Sequence, residues 1–247
     1  MTGKVFLSFV SLLVFAHGAF ADARHFTFVY ETSPSSPGEI EIENWVTWKS
    51  VDGSNQIDFR HELEFGITRQ LQAAIYVADW DYHDGSSERA SGFSYNASSI
   101  ELIYNLANPV ADPLGLSVYQ EYKVGDRIFE WESKVMAQKN FGPLILAYNA
   151  TLEAIWEGED LDQREGEIQQ SAGVSYEWSP RFSTGAEFVH ELVFPDWRGK
   201  REMNFFVGPN ASFRAGEWWT TITALAKGVG GDEEPDLQVR AIVGHEF

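Results

Sequence analysis

The chain has 247 residues, no cysteine and a formal net charge of −19. The missing cysteines exclude disulfides and thiolate-bound metals, and the acidity argues against a nucleic-acid partner, because phosphate binding needs a surplus of Lys and Arg. Aromatic residues make up 15% of the chain and include nine Trp, a content that is common at membrane–water interfaces.

The first 21 residues have the pattern of a cleavable export signal. Lys4 supplies positive charge, residues 5–16 form a mostly apolar run, and Ala19 and Ala21 have the spacing of a signal-peptidase site. A transmembrane anchor is the alternative, but the run is shorter than the ~20 residues that a spanning helix needs. We therefore predict a signal peptide at 1–21 and export of the Gram-negative type.

Residues 22–38 do not follow the pattern of the remaining chain. Residues 24–31 alternate like a strand, and Pro34, Pro37 and Gly38 then favour a turn. A strand here would be one too many for a barrel with both ends on the same side of the membrane. We interpret 22–38 as a segment that is either periplasmic or inserted into the barrel as a plug.

From residue 39 onward, apolar and polar residues alternate with a period of two, which is typical of strands. In residues 56–68, for example, the odd positions hold five apolar residues and His61, and four even positions are charged. No amphipathic-helix pattern interrupts these segments, and each is near or somewhat above the length of about 9–11 residues that a tilted strand needs to cross a bilayer. Twelve segments show the pattern: 39–50, 56–68, 71–82, 93–107, 115–123, 128–140, 144–156, 167–178, 182–193, 202–214, 218–227 and 237–247.

The connections between these segments divide into five turns and six polar loops. This is the number expected for a twelve-stranded barrel whose two ends both lie in the periplasm. The fold class predicted is all-β: a single transmembrane antiparallel β-barrel of about 12 strands at 39–247, preceded by a cleavable signal peptide.

The polar face of the segments should point into the barrel, because a charge on the lipid side costs ~2–4 kcal/mol near the bilayer midplane. The resulting lumen lining is mainly acidic, and a ring of carboxylates favours cations in a pore. Alternatively, these side chains are hydrated and pair with one another inside a lumen that is filled by the side chains of the barrel, and they select no solute. The lumen-lining residues predicted are Glu41, Glu43, Asp58, Arg60, Glu62, Glu64, Glu130, Glu132, Lys134, Glu153, Glu187, Glu191 and Arg240, together with Glu39 and Glu167.

Acidic loops and aromatic strand ends have simpler explanations than a ligand site. Loops 157–167 and 228–236 lack the spacing of a calcium-binding loop, so we predict solvated outer loops, with no metal and no cofactor. The aromatic residues fit a girdle at the membrane interfaces. These are Trp45, Trp48, Trp80, Tyr82, Trp156, Trp178, Trp197, Trp218 and Trp219.

Val243, His245 and Phe247 share one face of the last segment. They resemble the C-terminal signature of bacterial outer-membrane proteins, a terminal Phe with apolar or aromatic residues at alternate positions before it. His245 stands where Tyr is more usual. The resemblance implies that the barrel-assembly machinery recognises these residues.

Residues 22–247 as a whole resemble porin-like Gram-negative outer-membrane barrels. Residues 43–48 (ENWVTW), 58–62 (DFRHE) and 139–143 (KNFGP) look like one uncharacterised family of that group. The resemblance implies a barrel in the cell outer membrane, with lipid, lipopolysaccharide and a small-molecule solute as partners. It carries no functional residues to transfer.

These observations predict a porin-like channel, not an enzyme, for passive diffusion of small neutral or cationic solutes. One alternative is a non-conducting structural or adhesion barrel with a plugged lumen. Another is a hydrolase at the rim, for which Asp79, Asp81 and His83 are the candidates. Outer-membrane phospholipases place His and Ser two apart on one strand, and no His in this chain is followed two positions later by Ser.

Overall fold

The computed structural model describes residues 24–51, 54–84, 91–199, 202–232 and 234–247. The predicted signal peptide at 1–21 lies outside these residues. Within the described ranges, no helix is long and apolar enough to cross a membrane.

In the described part of the chain, twelve antiparallel strands form a closed barrel, so the predicted fold class is confirmed. Each strand pairs with its neighbours in sequence, and β1 pairs with β12 to close the sheet. The strands are β1 Ile40–Val51, β2 Ser54–Gly66, β3 Leu71–His83, β4 Gly92–Ala107, β5 Gly115–Gly125, β6 Ile128–Phe141, β7 Leu144–Glu157, β8 Gln163–Ser179, β9 Phe182–Pro195, β10 Glu202–Ala215, β11 Trp218–Val229 and β12 Leu237–Glu246.

The largest difference from the predicted boundaries is at the start of β8, which begins at Gln163 and not at residue 167. Residues 163–166 are paired with β7, where Gln163 lies opposite Glu157. The first three of them are polar, so they show no alternation that would mark a strand.

The barrel exposes apolar side chains and buries polar ones. Ile100 and Leu102 on β4 are 57% and 43% exposed, whereas Ser99 and Glu101 between them are buried. The same reversal occurs on β3, where Val77 is 54% exposed and its neighbour Tyr76 is fully buried. A barrel with an apolar outer face and a polar interior suits a lipid surrounding, which accepts closed sheets because they leave no unpaired edge.

Two of the predicted girdle residues face the interior instead. Trp45 and Trp219 are only 3% and 2% exposed. The Trp45 Nε1–H donates to Glu43 at 2.7 Å, and the Trp219 Nε1–H donates to Glu41. Both indole groups occupy inward positions of β1 and β11, so the girdle prediction is wrong for them. By contrast, Trp218, the direct neighbour of Trp219, is outward and 55% exposed.

Phe247 lies at the seam that closes the barrel. Its backbone N–H donates to the carbonyl of Ile40 at 2.9 Å, and its ring lies 4.5 Å from the ring of His245. We expect deletion of Phe247 to lower the amount of folded barrel in the outer membrane, because one seam hydrogen bond worth about 1 kcal/mol and the aromatic signature are lost together. The measurement is the heat-modifiable folded band in membrane fractions, and a Phe247→Tyr variant, which keeps both features, should fold normally.

Candidate functional site: a charged lumen with an internal segment

Residues 24–35 lie inside the barrel. Phe26, Thr27, Val29 and Thr32 are at most 2% exposed, and Tyr30 is 8% exposed. The segment is not a strand of the barrel, so the wall side chains must satisfy its backbone groups. The turn at Ser36–Glu39 then leads into β1, with Gly38 at a φ of +88° and its N–H donating to the Gly66 carbonyl at 2.8 Å.

Glu187 on β9 is the main anchor of this internal segment. Its carboxylate accepts the backbone N–H groups of Thr27, Phe28 and Val29 at 2.9, 2.6 and 3.1 Å. It also accepts the Thr223 hydroxyl at 2.5 Å. A carboxylate that receives several N–H groups is a strong, charge-assisted acceptor, so Glu187 fixes the middle of the segment to the wall.

Two further wall amides fix the rest of the segment. Asn149 both accepts the Tyr30 N–H at 2.7 Å and donates to the Tyr30 carbonyl at 2.9 Å. Gln138 accepts the Thr32 N–H at 2.7 Å, and the Ser117 hydroxyl donates to the Thr32 carbonyl at 2.6 Å. The segment is therefore held by β5, β6, β7 and β9 together.

The apolar side of the segment packs against β7 and β8. Phe26 and Val29 form a buried cluster with Ile145 and Ala147. Gly173 makes room for the Phe26 ring, because a Cβ atom at position 173 would lie 2.5 Å from Phe26 Cε1. The absence of a side chain at Gly173 thus leaves the space that the Phe26 ring of the segment occupies.

His25 and Glu31 close the segment into a loop. The His25 backbone N–H donates to the Glu31 carboxylate at 2.9 Å, and its Nδ1 lies 3.0 Å from the other Glu31 oxygen. Burial by itself would raise the pKa of Glu31, but the charge of His25 and these hydrogen bonds outweigh burial and lower the pKa. A charged Glu31 therefore favours the closed form of the loop.

Three cationic side chains lie in the middle of the lumen. Arg60 pairs with Glu121 at 2.6 Å and with Asp79 at 3.1 Å. Lys134 pairs with Glu132 at 2.7 Å. Arg240 donates to the Thr27 carbonyl at 3.2 Å. Two of these cations are thus partly neutralised by the wall, and the third contacts the internal segment.

The strand register aligns eight glutamates and Ala74 in one continuous row. Each member is the direct cross-strand partner of the next, and we call this set the acidic row. In register order it reads Glu246, Glu41, Glu64, Ala74, Glu101, Glu121, Glu132, Glu153 and Glu167. Because barrel strands tilt, the row rises from the turn end, where Glu41 is the second residue of β1, to the loop-side third of β8.

Like charges that lie directly opposite each other destabilise a sheet, so the acidic row needs compensation. Glu101 accepts the Tyr76 hydroxyl at 2.7 Å, and Glu121 and Glu132 have the cationic partners named above. Glu153 and Glu167 form no ion pair with any residue that the structure describes. The loop-side end of the row therefore has two carboxyl groups without a cationic partner among the described residues.

Two cavities open at opposite ends of the lumen. The turn-side cavity has a volume of about 270 Å³ and is bordered by Arg24, Ser36 and Gln72. The loop-side cavity has a volume of about 740 Å³ and is bordered by Asp58, Asp81 and Arg127. A buried cluster contains Tyr30, Trp45, Tyr119, Met136 and Trp219. The internal segment and this cluster both occupy space inside the barrel.

The structure places fourteen of the fifteen predicted lining residues on the inner face of the barrel wall, whereas Glu39 lies in the turn before β1. Glu43, Glu62 and Glu187 are 1% exposed, and Asp58 pairs with Lys49 at 2.7 Å. Glu130 pairs with Lys123 at 2.8 Å, while Glu191 accepts a hydrogen bond from Gln169 at 3.3 Å. Many of them contact each other or the internal segment, and their role in conduction stays a prediction.

Several lumen residues were not predicted from the sequence. Glu101 and Glu121 are at most 2% exposed, and both lie in the acidic row. A signal was present, because Ile100, Leu102 and Tyr104 alternate with Glu101. Arg24 was also missed, since its partners are distant in sequence and only the barrel brings them together.

Glu130, Glu132 and Glu153 have carboxylate oxygens within 4.8 Å of one another, which is close enough for a shared cation. However, Lys123 and Lys134 already contact two of these carboxylates. The lysines supply the positive charge that a metal would otherwise provide, so we assign no metal to this group.

The residues of the C-terminal signature lie on the outer face of β12. Val243 is 40% and Phe247 is 70% exposed. The His245 ring lies between two outward aromatic rings, 4.3 Å from Trp218 and 4.5 Å from Phe247. The signature thus forms an aromatic edge that is accessible from outside the barrel.

Solved structures with a similar fold include an outer-membrane channel and two porins. The COG4313 outer membrane channel from Pseudomonas putida F1 matches with a TM-score of 0.63 and 11% identity, over 88% of this chain and 98% of that chain. The NanC porin matches with a TM-score of 0.54 and 11% identity, over 84% of this chain and 98% of that chain. The KdgM porin matches with a TM-score of 0.51 and 8% identity, over 84% of this chain and 99% of that chain. These similarities confirm the porin-like fold that the sequence predicts.

Sequence comparisons identify a family but no function. No curated protein sequence matches the chain. The profile of a family of unknown function, DUF6662, matches residues 18–242, which agrees with the predicted resemblance to an uncharacterised family. The chain belongs to the DUF6662 family.

Proposed function

We propose that this protein is a porin-type channel of the outer membrane that passes small neutral or cationic solutes, with residues 24–35 restricting its lumen. The acidic row carries this proposal. Its carboxylates run from one end of the lumen to the other, and a row of acidic groups lowers the barrier for cations and raises it for anions. Water-accessible cavities at both ends support access from either side.

A plugged structural barrel is the second candidate, and the internal segment favours it. The segment fills the middle of the lumen and is anchored to the wall by Glu187, Asn149 and Gln138. This candidate does not explain why the charges at the end of the acidic row are left without cationic partners. The rim hydrolase has less support, because Asp79 is already paired with Arg60.

Single-channel recording separates these functions. We expect the purified full-length protein to give small, cation-selective current steps in planar bilayers, because the segment narrows an acidic lumen. The reversal potential across a potassium chloride gradient gives the selectivity. A bilayer that stays silent with well-folded protein would support the plugged barrel, and an anion-selective channel would contradict the role of the acidic row.

A further inference from the structure

Arg24 of the internal segment lies in a group of carboxylates on the barrel wall. Its Nε is 2.7 Å from Glu43 Oε1, and its Nη2 is 3.8 Å from an oxygen of Glu62 and 3.8 Å from an oxygen of Glu64. All three glutamates are on β1 or β2 and at most 5% exposed. One guanidinium group therefore faces three buried carboxylates.

Aromatic rings complete the surroundings of this guanidinium. The Arg24 Cζ atom lies 4.8 Å from the centre of the Tyr30 ring and 5.0 Å from that of Trp45. Trp45 belongs to the wall, whereas Tyr30 belongs to the internal segment. A planar cation next to an aromatic face gains a cation–π attraction in addition to its ion pairs.

The carboxylates offer more acceptors than Arg24 uses. Glu62 is 1% exposed, and neither of its oxygens accepts a hydrogen bond from a described residue. Glu101 nearby has one further oxygen without a hydrogen-bond donor in the described part of the chain. Buried polar groups normally have partners, so an unpaired buried carboxylate indicates that this group can receive additional N–H donors.

The arrangement also has an entry. The turn-side cavity of about 270 Å³ is bordered by Arg24, Glu43 and Glu64. Two of the three carboxylates are therefore accessible to a small solute that enters this cavity. Arg24 and Tyr30 would leave with the internal segment, while Glu43, Trp45, Glu62 and Glu64 would remain on the wall.

We propose that these four wall residues, which we call the guanidinium cage, bind the guanidinium group of small solutes, and that Arg24 is the internal occupant of the same site. The proposal rests on the proposed channel function and names its solute class. A guanidinium group fits because it is planar, permanently charged and has five N–H donors for several carboxylates at once. An ammonium ion has fewer donors and no flat face for Trp45.

Chemical rescue of an Arg24→Ala variant tests this proposal. We expect methylguanidinium to raise the melting temperature of the detergent-solubilised full-length variant in a saturable way. Urea has a similar shape without charge, and tetramethylammonium has the charge without N–H donors, so neither should reproduce the effect. An Arg214→Ala variant is the matched control, because Arg214 is another lumen arginine but, among the described residues, forms an ion pair only with Glu246.

The second variant, Arg24→Ala with Glu62→Gln, tests the carboxylates themselves. Glu62→Gln removes one of three crowded charges and should not unfold the barrel. A charge-assisted hydrogen bond contributes about 1.5–3 kcal/mol, so the half-effective methylguanidinium concentration should rise about tenfold or more. Equal rescue in both variants, or no saturable rescue, would overturn the proposal.

Conductance separates this proposal from the channel function. We expect methylguanidinium to reduce the current through Arg24→Ala channels at lower concentrations than through wild-type channels. Saturable rescue of the melting temperature in a protein that never conducts would support the cage and contradict transport. Normal conductance without rescue would contradict the cage alone.

Discussion

Replacing Glu187 with Ala should release residues 24–35 from the lumen and raise the channel conductance. Glu187 accepts three consecutive backbone N–H groups of the segment. Hydrogen bonds to a charged group contribute about 1.5–3 kcal/mol each, and buried N–H groups without a partner are costly. The free energy that holds the segment to the wall should therefore decrease by on the order of 3 kcal/mol or more. The barrel itself should stay folded, because its strands keep their own hydrogen bonds.

The released segment can be detected independently of current. Protease added to the detergent-solubilised variant should cleave within residues 24–35, which are protected in the wild type. Glu191→Ala is the matched control, because Glu191 lies on the same face of β9 but accepts its hydrogen bond from the wall amide of Gln169 and forms none with the segment among the described residues. A segment that stays protected in Glu187→Ala would contradict the anchoring role.

A second variant, Gly173→Val, should release the segment by steric collision and leaves the net charge of the protein unchanged. In Gly173→Val, the new side chain would collide with the buried Phe26 ring. The conductance should rise as in Glu187→Ala. Agreement between the two variants would show that the position of the segment, and not the charge of Glu187, limits the current.

The strands could be predicted from the sequence because each one carries its own signal. Alternation along β2 or β7 depends only on neighbouring residues and on which face meets lipid. Trp45 shows the limit of this reasoning: its place near a strand end suggested the girdle, but its direction depends on the parity of β1. Where the neighbouring residues do not alternate clearly, the side of the barrel wall that a residue faces is known only from the pairing of the strands.

The sequence left open whether residues 22–38 are periplasmic or a plug, and the acidic row and the anchoring contacts of the internal segment could not be predicted, because they depend on residues distant in sequence. The row exists only once the register places Glu101 opposite Glu121 and Glu132 opposite Glu153. From sequence, Glu187 also looks equivalent to other lumen carboxylates. In the structure it is bound to backbone N–H groups of the segment, so neutralising it would alter both the field and the blockage.

Selectivity is therefore better tested on Glu153 and Glu167, which should control the preference for cations. They are direct cross-strand partners at the loop-side end of the acidic row, and neither pairs with a cation among the described residues. Each charge within about 8 Å of a passing ion changes its energy by about 0.5 kcal/mol in water, and screening at physiological salt acts over a similar length. Changing both to Gln should lower the cation-to-anion permeability ratio several-fold.

The reversal potential across a salt gradient measures this change. The matched control is Asp160→Asn with Asp162→Asn, which removes two exposed loop charges at the same end of the barrel, outside the lumen, and should shift the potential less. The Glu153 and Glu167 variant should also melt no lower than the wild type, because a pair of like charges directly opposite each other has been removed. An unchanged reversal potential in a folded variant would mean that these carboxylates only fill the lumen and do not select ions.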